Sequence, residues 1–176
     1  MKIASKLASI ALTSGLVVAG FGAVGGMTGV ASAAPGGPVV ANVGVTPGIT
    51  MTGLTPSFTL SGSPGSDVEL LSAVSYNVET NNVGYGVTVQ SRTATMTPAV
   101  PNGDSIAIGL LTARDGTPAV PAAYVGLMAG TARTVHSQGG RSATGGDNLT
   151  TDYLIHIPVV AVATYTATLD YIATAA

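Results

Sequence analysis

Apolar residues recur at every second position over several short stretches of this chain, and clusters of turn-forming residues separate the stretches. The longest run covers residues 67–79: Val68, Leu70, Val74, Tyr76 and Val78 share one face, and Asp67, Glu69, Ser75, Asn77 and Glu79 share the other. A period of two fits a half-buried strand and no amphipathic helix. Residues 85–90 repeat it, with Tyr85, Val87 and Val89 against Gly86, Thr88 and Gln90. Thr80-Asn81-Asn82 supplies turn formers between the two runs, so they are expected to pair as a hairpin. Near the C-terminus Tyr165, Ala167, Leu169 and Tyr171 alternate with Thr164, Thr166, Thr168 and Asp170, which predicts one long strand with a threonine-rich outer face. Ahead of it Tyr153, Ile155 and Ile157 alternate with Leu154 and His156, until Pro158, which cannot donate to a ladder, ends or bulges the strand.

Shorter signals complete the pattern. Residues 39–45 read as a first strand, and residues 105–112 offer Ile106, Ile108 and Leu110 as a further inward set. Only residues 122–133 could be argued as a short helix, and Gly126 and Gly130 weaken it. Turn clusters fall at 61–66, 101–104 and 114–118, and the longest polar stretch, from His136 to Thr151, reads as a loop and as the place for any binding function. Short strands at this spacing are the signature of a sandwich or barrel. The expected fold is all-β: a single antiparallel β-sandwich, Ig-like or related, over residues 39–176, with Val74, Tyr76, Val87, Val89, Ile106, Ile108, Ile155, Leu169 and Tyr171 in its core.

The first thirty-odd residues break this pattern. Lys2 and Lys6 precede an uncharged stretch from Leu7 that closes on Ala31-Ser32-Ala33, the layout of a secretory signal cut after Ala33. Residues 1–33 are therefore expected to be removed, leaving 34–38 (APGGP) as a flexible leader and no membrane span after cleavage. The alternative is an uncleaved anchor, because residues 7–34 are uncharged and long enough to cross a bilayer core of roughly 30 Å. Cleavage takes both lysines away, leaving Arg92, Arg114, Arg133 and Arg141 against eight acids. No basic cluster remains, which argues against nucleic acid as a partner. There is no cysteine, so thiol chemistry and thiolate metal sites are excluded and folding rests on the core alone, for which about 140 residues suffice.

Candidate chemistry is sparse. The two histidines, His136 at a loop edge and His156 inside a strand, have no Gly-x-Ser-x-Gly elbow and no His-Glu-x-x-His pairing, and are read as surface residues. Gly139-Gly140 and Gly145-Gly146 around Arg141 lack the Gly-Lys-Ser/Thr ending of a phosphate loop and read as a flexible turn. The oxygen donors from Asp147 and Asn148 to Asp152 miss the twelve-residue calcium-loop pattern and read as a solvated turn. Asn148-Leu149-Thr150 formally matches a glycosylation acceptor. Asp67 and Glu69 share a strand face, but the outer one, and Tyr76, Tyr85, Tyr165 and Tyr171 fall on inward faces as core. No catalytic, cofactor-binding or metal-ligating set is assigned.

The segment from Val74 to Ser91 resembles a hairpin common in secreted bacterial surface proteins. The ending, Ile157-Pro158 and then Tyr165-Thr-Ala-Thr-Leu-Asp-Tyr171, resembles the closing strand of the same broad group, which includes WxL-type cell-wall-binding domains. The chain contains no Trp, so the WxL motifs themselves are missing and wall binding does not carry over. The Ala- and Gly-rich signal looks like those of actinobacteria. The resemblance implies an Ig-like or related sandwich and an envelope setting. The functional expectation is an exported, non-catalytic structural or binding module of the cell envelope or extracellular space, which engages an envelope component or self-associates through a sheet edge. The alternative is a secreted hydrolase of unrecognised type. Intact-mass measurement of protein recovered from culture medium is expected to give a chain beginning at Ala34; the full-length chain in the membrane fraction would contradict it.

Overall fold

The computed structural model describes residues 40–118 and 122–176. The expected signal, its cleavage point and the leader at 34–38 lie outside the described residues. Residues Val43–Ala176 form one compact unit, and the fold below is that unit's. Its strands are β1 (Ile49–Thr52), β2 (Asp67–Thr80), β3 (Tyr85–Ser91), β4 (Thr95–Pro98), β5 (Ile106–Ala107), β6 (Leu111–Asp115), β7 (Val125–Gly126), β8 (Arg133–Gln138), β9 (Asp147–His156), β10 (Tyr165–Thr166) and β11 (Leu169–Ala175). A single 3-10 turn, Ile108–Leu110, interrupts them, and no α-helix occurs among the described residues.

The strands form a five-stranded sheet in the order β1-β2-β9-β6-β7, a three-stranded sheet β11-β3-β8 and a small sheet β10-β4-β5. Every ladder is antiparallel. The first two sheets face each other as a β-sandwich, and none closes into a barrel. Inward residues of both meet in one core: Val74, Tyr76 and Val78 of β2 and Leu149, Tyr153 and Ile155 of β9 pack with Tyr85, Val87 and Val89 of β3. The alternation that defined β2 survives an irregularity between Leu70 and Val74, where Ser72 takes a positive φ of 50°. Three residues of β2, Leu71 to Ala73, oppose Asp152 alone there, an even excess, so Val68 and Leu70 stay on the inner face with Val74.

All-β architecture and antiparallel pairing are as expected, and seven of the nine expected core residues are buried, with Leu169 and Tyr171 partly buried against them. Several local expectations are corrected. β2 and β3 are not a hairpin: β2 pairs with β1 and β9, β3 with β11 and β8, so the turn at 81–84 carries the chain from one sheet to the other. Both strands bury alternate residues, and that alternation is satisfied as well by facing each other across the core as by pairing edge to edge. Residues 40–48 form no strand; the first strand begins at Ile49. The C-terminal run is two strands, β10 on β4 and β11 on β3, although its in-out alternation persists across the break. The 3-10 turn shifts the inward position from Leu110, partly buried, to Leu111, which is buried. No helix forms over the described part of 122–133, where β7, bridge positions at Met128, Ala129 and Thr131, and the start of β8 lie instead. The expected loop 136–151 shrinks to 139–146, because β8 reaches Gln138 and β9 starts at Asp147.

Val87 has no exposed surface, so Val87→Asp buries an unpaired carboxylate and should lower unfolding free energy by about 4 kcal/mol in a urea titration. Thr168→Asp, on an exposed position, should change it by less than about 0.5 kcal/mol.

Candidate functional site

Between β1 and β2 the chain runs as residues 53–66, and between β9 and β10 as residues 157–164, both outside the ladders. The first segment is tied at its ends: Thr55 donates its amide to the Ser75 carbonyl at 3.0 Å, and Gly65 donates to Ile157 at 2.7 Å. Between these ties Phe58 stacks on Tyr153 with ring centroids 4.4 Å apart. The second segment is held by the Ile157 amide on the Ser66 carbonyl at 3.0 Å and the Ala161 amide on Asp104 at 2.7 Å. A cleft of about 710 Å³ opens between the two segments and reaches the core at Val74, Met96, Ile106, Leu111, Ile155 and Tyr171. No Asp, Glu, Lys, Arg or His lines it. Its volume falls within the roughly 300–1,000 Å³ of ordinary ligand sites, but it lacks the charged group that commonly fixes a polar ligand. Val162, at the cleft wall, is fully exposed, and Leu54 at the opposite wall is 41% exposed.

Sequence reasoning did not single out these two segments. The signal was present in the first: Leu54, Pro56, Phe58 and Leu60 alternate with Thr55, Ser57, Thr59 and Ser61. That is a strand pattern, yet the segment joins no ladder.

The ionisable groups sit elsewhere. His136 is not a surface residue: its side chain is 9% exposed, and its Nδ1 lies 2.7 Å from Asp115 Oδ2 at the end of β6. Its ring tilts against Tyr85 at 5.5 Å, and Nε2 is buried with no hydrogen-bond partner. A carboxylate-oriented imidazole is two-thirds of a hydrolytic triad, but no hydroxyl is within reach of Nε2, and the adjoining cavity is only about 170 Å³. Asp115 could not be found from spacing, because β6 meets β8 only through the sheet-on-sheet packing. His156 is exposed, as expected, and pairs with Asp67 at 2.7 Å in solvent, where such a pair contributes little.

Asp147 and Asp152 fall on opposite faces of β9 and do not converge on one cation. Asp147 accepts the Tyr85 hydroxyl at 2.7 Å, the Ala143 amide at 3.0 Å and the Gln138 side-chain amide at 3.1 Å. These bonds, led by the Ala143 amide, hold its carboxyl below the usual aspartate range. They also close the 139–146 loop, in which Gly145 and Gly146 take φ of 87° and 88°, conformations that favour glycine. The loop expected to bind something is therefore folded back onto the sandwich. Asp152, buried on the outer face, accepts the Ser72 amide at 2.7 Å and Arg114 Nε at 3.0 Å. Arg114 also donates to Glu69 at 3.0 Å and lies 4.4 Å over the Tyr124 ring. Among the described residues no group of His and acidic side chains has the geometry to hold a metal ion.

No protein-family model and no curated protein matches the chain.

Because the Asp147 carboxyl is depressed in the folded state, the unfolded chain binds the extra proton as pH falls below about 4, so this contribution is present above that pH and lost below it. Asp147→Asn should lower the melting temperature at pH 7 by a few degrees and flatten its fall between about pH 4 and pH 2, measured by thermal denaturation across pH.

Proposed function

We propose that this chain is an exported, non-catalytic binding or assembly module of the cell envelope or extracellular space, and that the uncharged cleft is its binding element. The cleft carries the reading, because apolar core residues there reach a large opening between two segments that lie outside the ladders. The secretory layout of the first 33 residues and the resemblance to envelope proteins supply the setting. The chemistry of the ionisable groups agrees with it. Asp147, Asp152 and Glu69 are each engaged by two or more donors, an arrangement that holds a loop, a bulge and an outer face in place rather than leaving a reactive group free.

The second reading, a secreted hydrolase, draws on the His136–Asp115 pair with its unpartnered Nε2. It lacks a nucleophile at that nitrogen.

Sedimentation with purified cell wall, together with light scattering of the protein alone, separates the two. Val162→Asp places a charge at an exposed position on the cleft wall and should weaken wall binding or self-association at least tenfold without lowering the melting temperature. His136→Gln should leave binding intact. Turnover of an ester or peptide substrate that disappears in His136→Gln, with no effect of Val162→Asp on binding, would defeat the module reading.

A further inference from the structure

The deep end of the cleft is formed by side chains with no strong donor or acceptor. Val74, Leu111 and Ile155 come from the five-stranded sheet and Met96 and Ile106 from the small one, and all five are buried core residues. Tyr171 of β11 borders them, and its hydroxyl is already committed to Tyr153 at 2.7 Å. The rest of the lining alternates: Phe58, Leu60 and Ala167 pack against the core, whereas Ser57, Thr59 and Thr168 are exposed and bring hydroxyls to the mouth.

The walls are held in place. At one end they are tied to each other, since Gly65 donates its amide to the Ile157 carbonyl and Ile157 donates to Ser66. The turn at 101–104 fixes the second wall at Ala161: Asp104 accepts the Ala161 amide at 2.7 Å, and the Tyr165 hydroxyl accepts from the Asn102 side-chain amide at 3.2 Å and donates to the Ala161 carbonyl at 2.9 Å. The charged groups attached to these walls supply no counter-ion for an anion. Asp104 is itself an acid, and Arg92, whose amide donates to the Thr168 carbonyl, gives its guanidinium to Asp170 in three hydrogen bonds.

These features discriminate between occupants. An added peptide strand takes its affinity from a row of ladder bonds along an edge, and residues 53–66 and 157–164 join no ladder. Amides that a peptide carried to the deep end would lose water and find no side-chain partner there. An alkyl chain brings no polar group inward and gains free energy from every methylene that leaves water. A charged head drawn into the mouth would lose water without gaining an ion pair, whereas an uncharged head exchanges water for hydroxyls.

We propose that the cleft takes the aliphatic chain of an uncharged lipid, with the chain running inward between the sheets and a hydroxyl or ester head at the hydroxyl-bearing mouth. The proposal rests on the cleft being the binding element and names what that element holds.

Displacement of N-phenylnaphthylamine, an uncharged dye that brightens in apolar surroundings, reads the affinity of the purified protein for a series of alcohols. From octanol to dodecanol binding should tighten by roughly fourfold for each added methylene. Dodecanoate and dodecylamine, with the same chain on a charged head, should bind at least threefold more weakly than dodecanol. Ala167→Trp fills the cleft from its lining and should weaken dodecanol at least tenfold without lowering the melting temperature. Should that variant not fold, Val162→Asp, at an exposed position on the wall, should weaken dodecanol at least threefold. An affinity that does not rise with chain length, a charged head bound as tightly as dodecanol, or binding that the folded variants leave unchanged overturns the proposal. If no alcohol binds while Val162→Asp still releases the protein from cell wall or from itself, the occupant is wrong and the cleft reading stands. If Val162→Asp alters no binding at all, both fall.

Discussion

Tyr153 of β9 and Tyr171 of β11 meet hydroxyl to hydroxyl at 2.7 Å across the space between the sheets, with Tyr76 5.4 Å from Tyr171 and Phe58 stacked on Tyr153. In a chain without cysteine this cluster is what locks one sheet over the other. Each phenol buries a large apolar ring, and the polar tips are satisfied, Tyr153 and Tyr171 on each other and Tyr76 on the Thr151 hydroxyl, so little is left unpaired in the core. Burial disfavours the phenolate throughout the group, pushing the pKa of Tyr171 up to about 12 and those of Tyr76 and Tyr153 higher still. A sandwich this poor in charge depends on such contacts, because few ion pairs are available to align its layers.

The remaining polar groups are arranged around that core rather than in it. Asp147 draws the 139–146 loop down onto the end of β9 and receives Tyr85 from the opposite sheet. On the outer face Asp152 holds the irregular stretch of β2 through Ser72 and, with Glu69, anchors Arg114 beneath Tyr124. His136 and Asp115 link β8 to β6, one more bridge between the two sheets. Acids and histidines that could in principle be catalytic thus serve as fasteners at the periphery of an apolar interior, where charge-assisted hydrogen bonds are strong.

The interior opens along the two segments that leave their sheets. Residues 53–66 and 157–164 lie outside the ladders, carry alternating or continuous apolar side chains, and make few main-chain bonds. An apolar volume opened between such segments marks the part of a β-fold that a ligand can complete. The functional reading follows from this incompleteness more than from any cluster of reactive residues.

The period-two pattern was enough to identify strands 67–79 and 85–90, their inward faces and the all-β class, because burial of alternate side chains depends only on local geometry and on there being some core to face. The lack of cysteine and the few, scattered arginines likewise settled the absence of a thiol or basic site from residue identity alone. Partners were beyond it. That β2 and β3 belong to different sheets, that residues 165–175 split between β4 and β3, and that His136 meets Asp115 all depend on which strands become neighbours, and alternation is equally satisfied by several pairings. The cleft was hidden for the same reason: residues 54–61 alternate like any strand, and only the packed sandwich decides that they join no ladder and touch β2 at Thr55 alone among their backbone bonds.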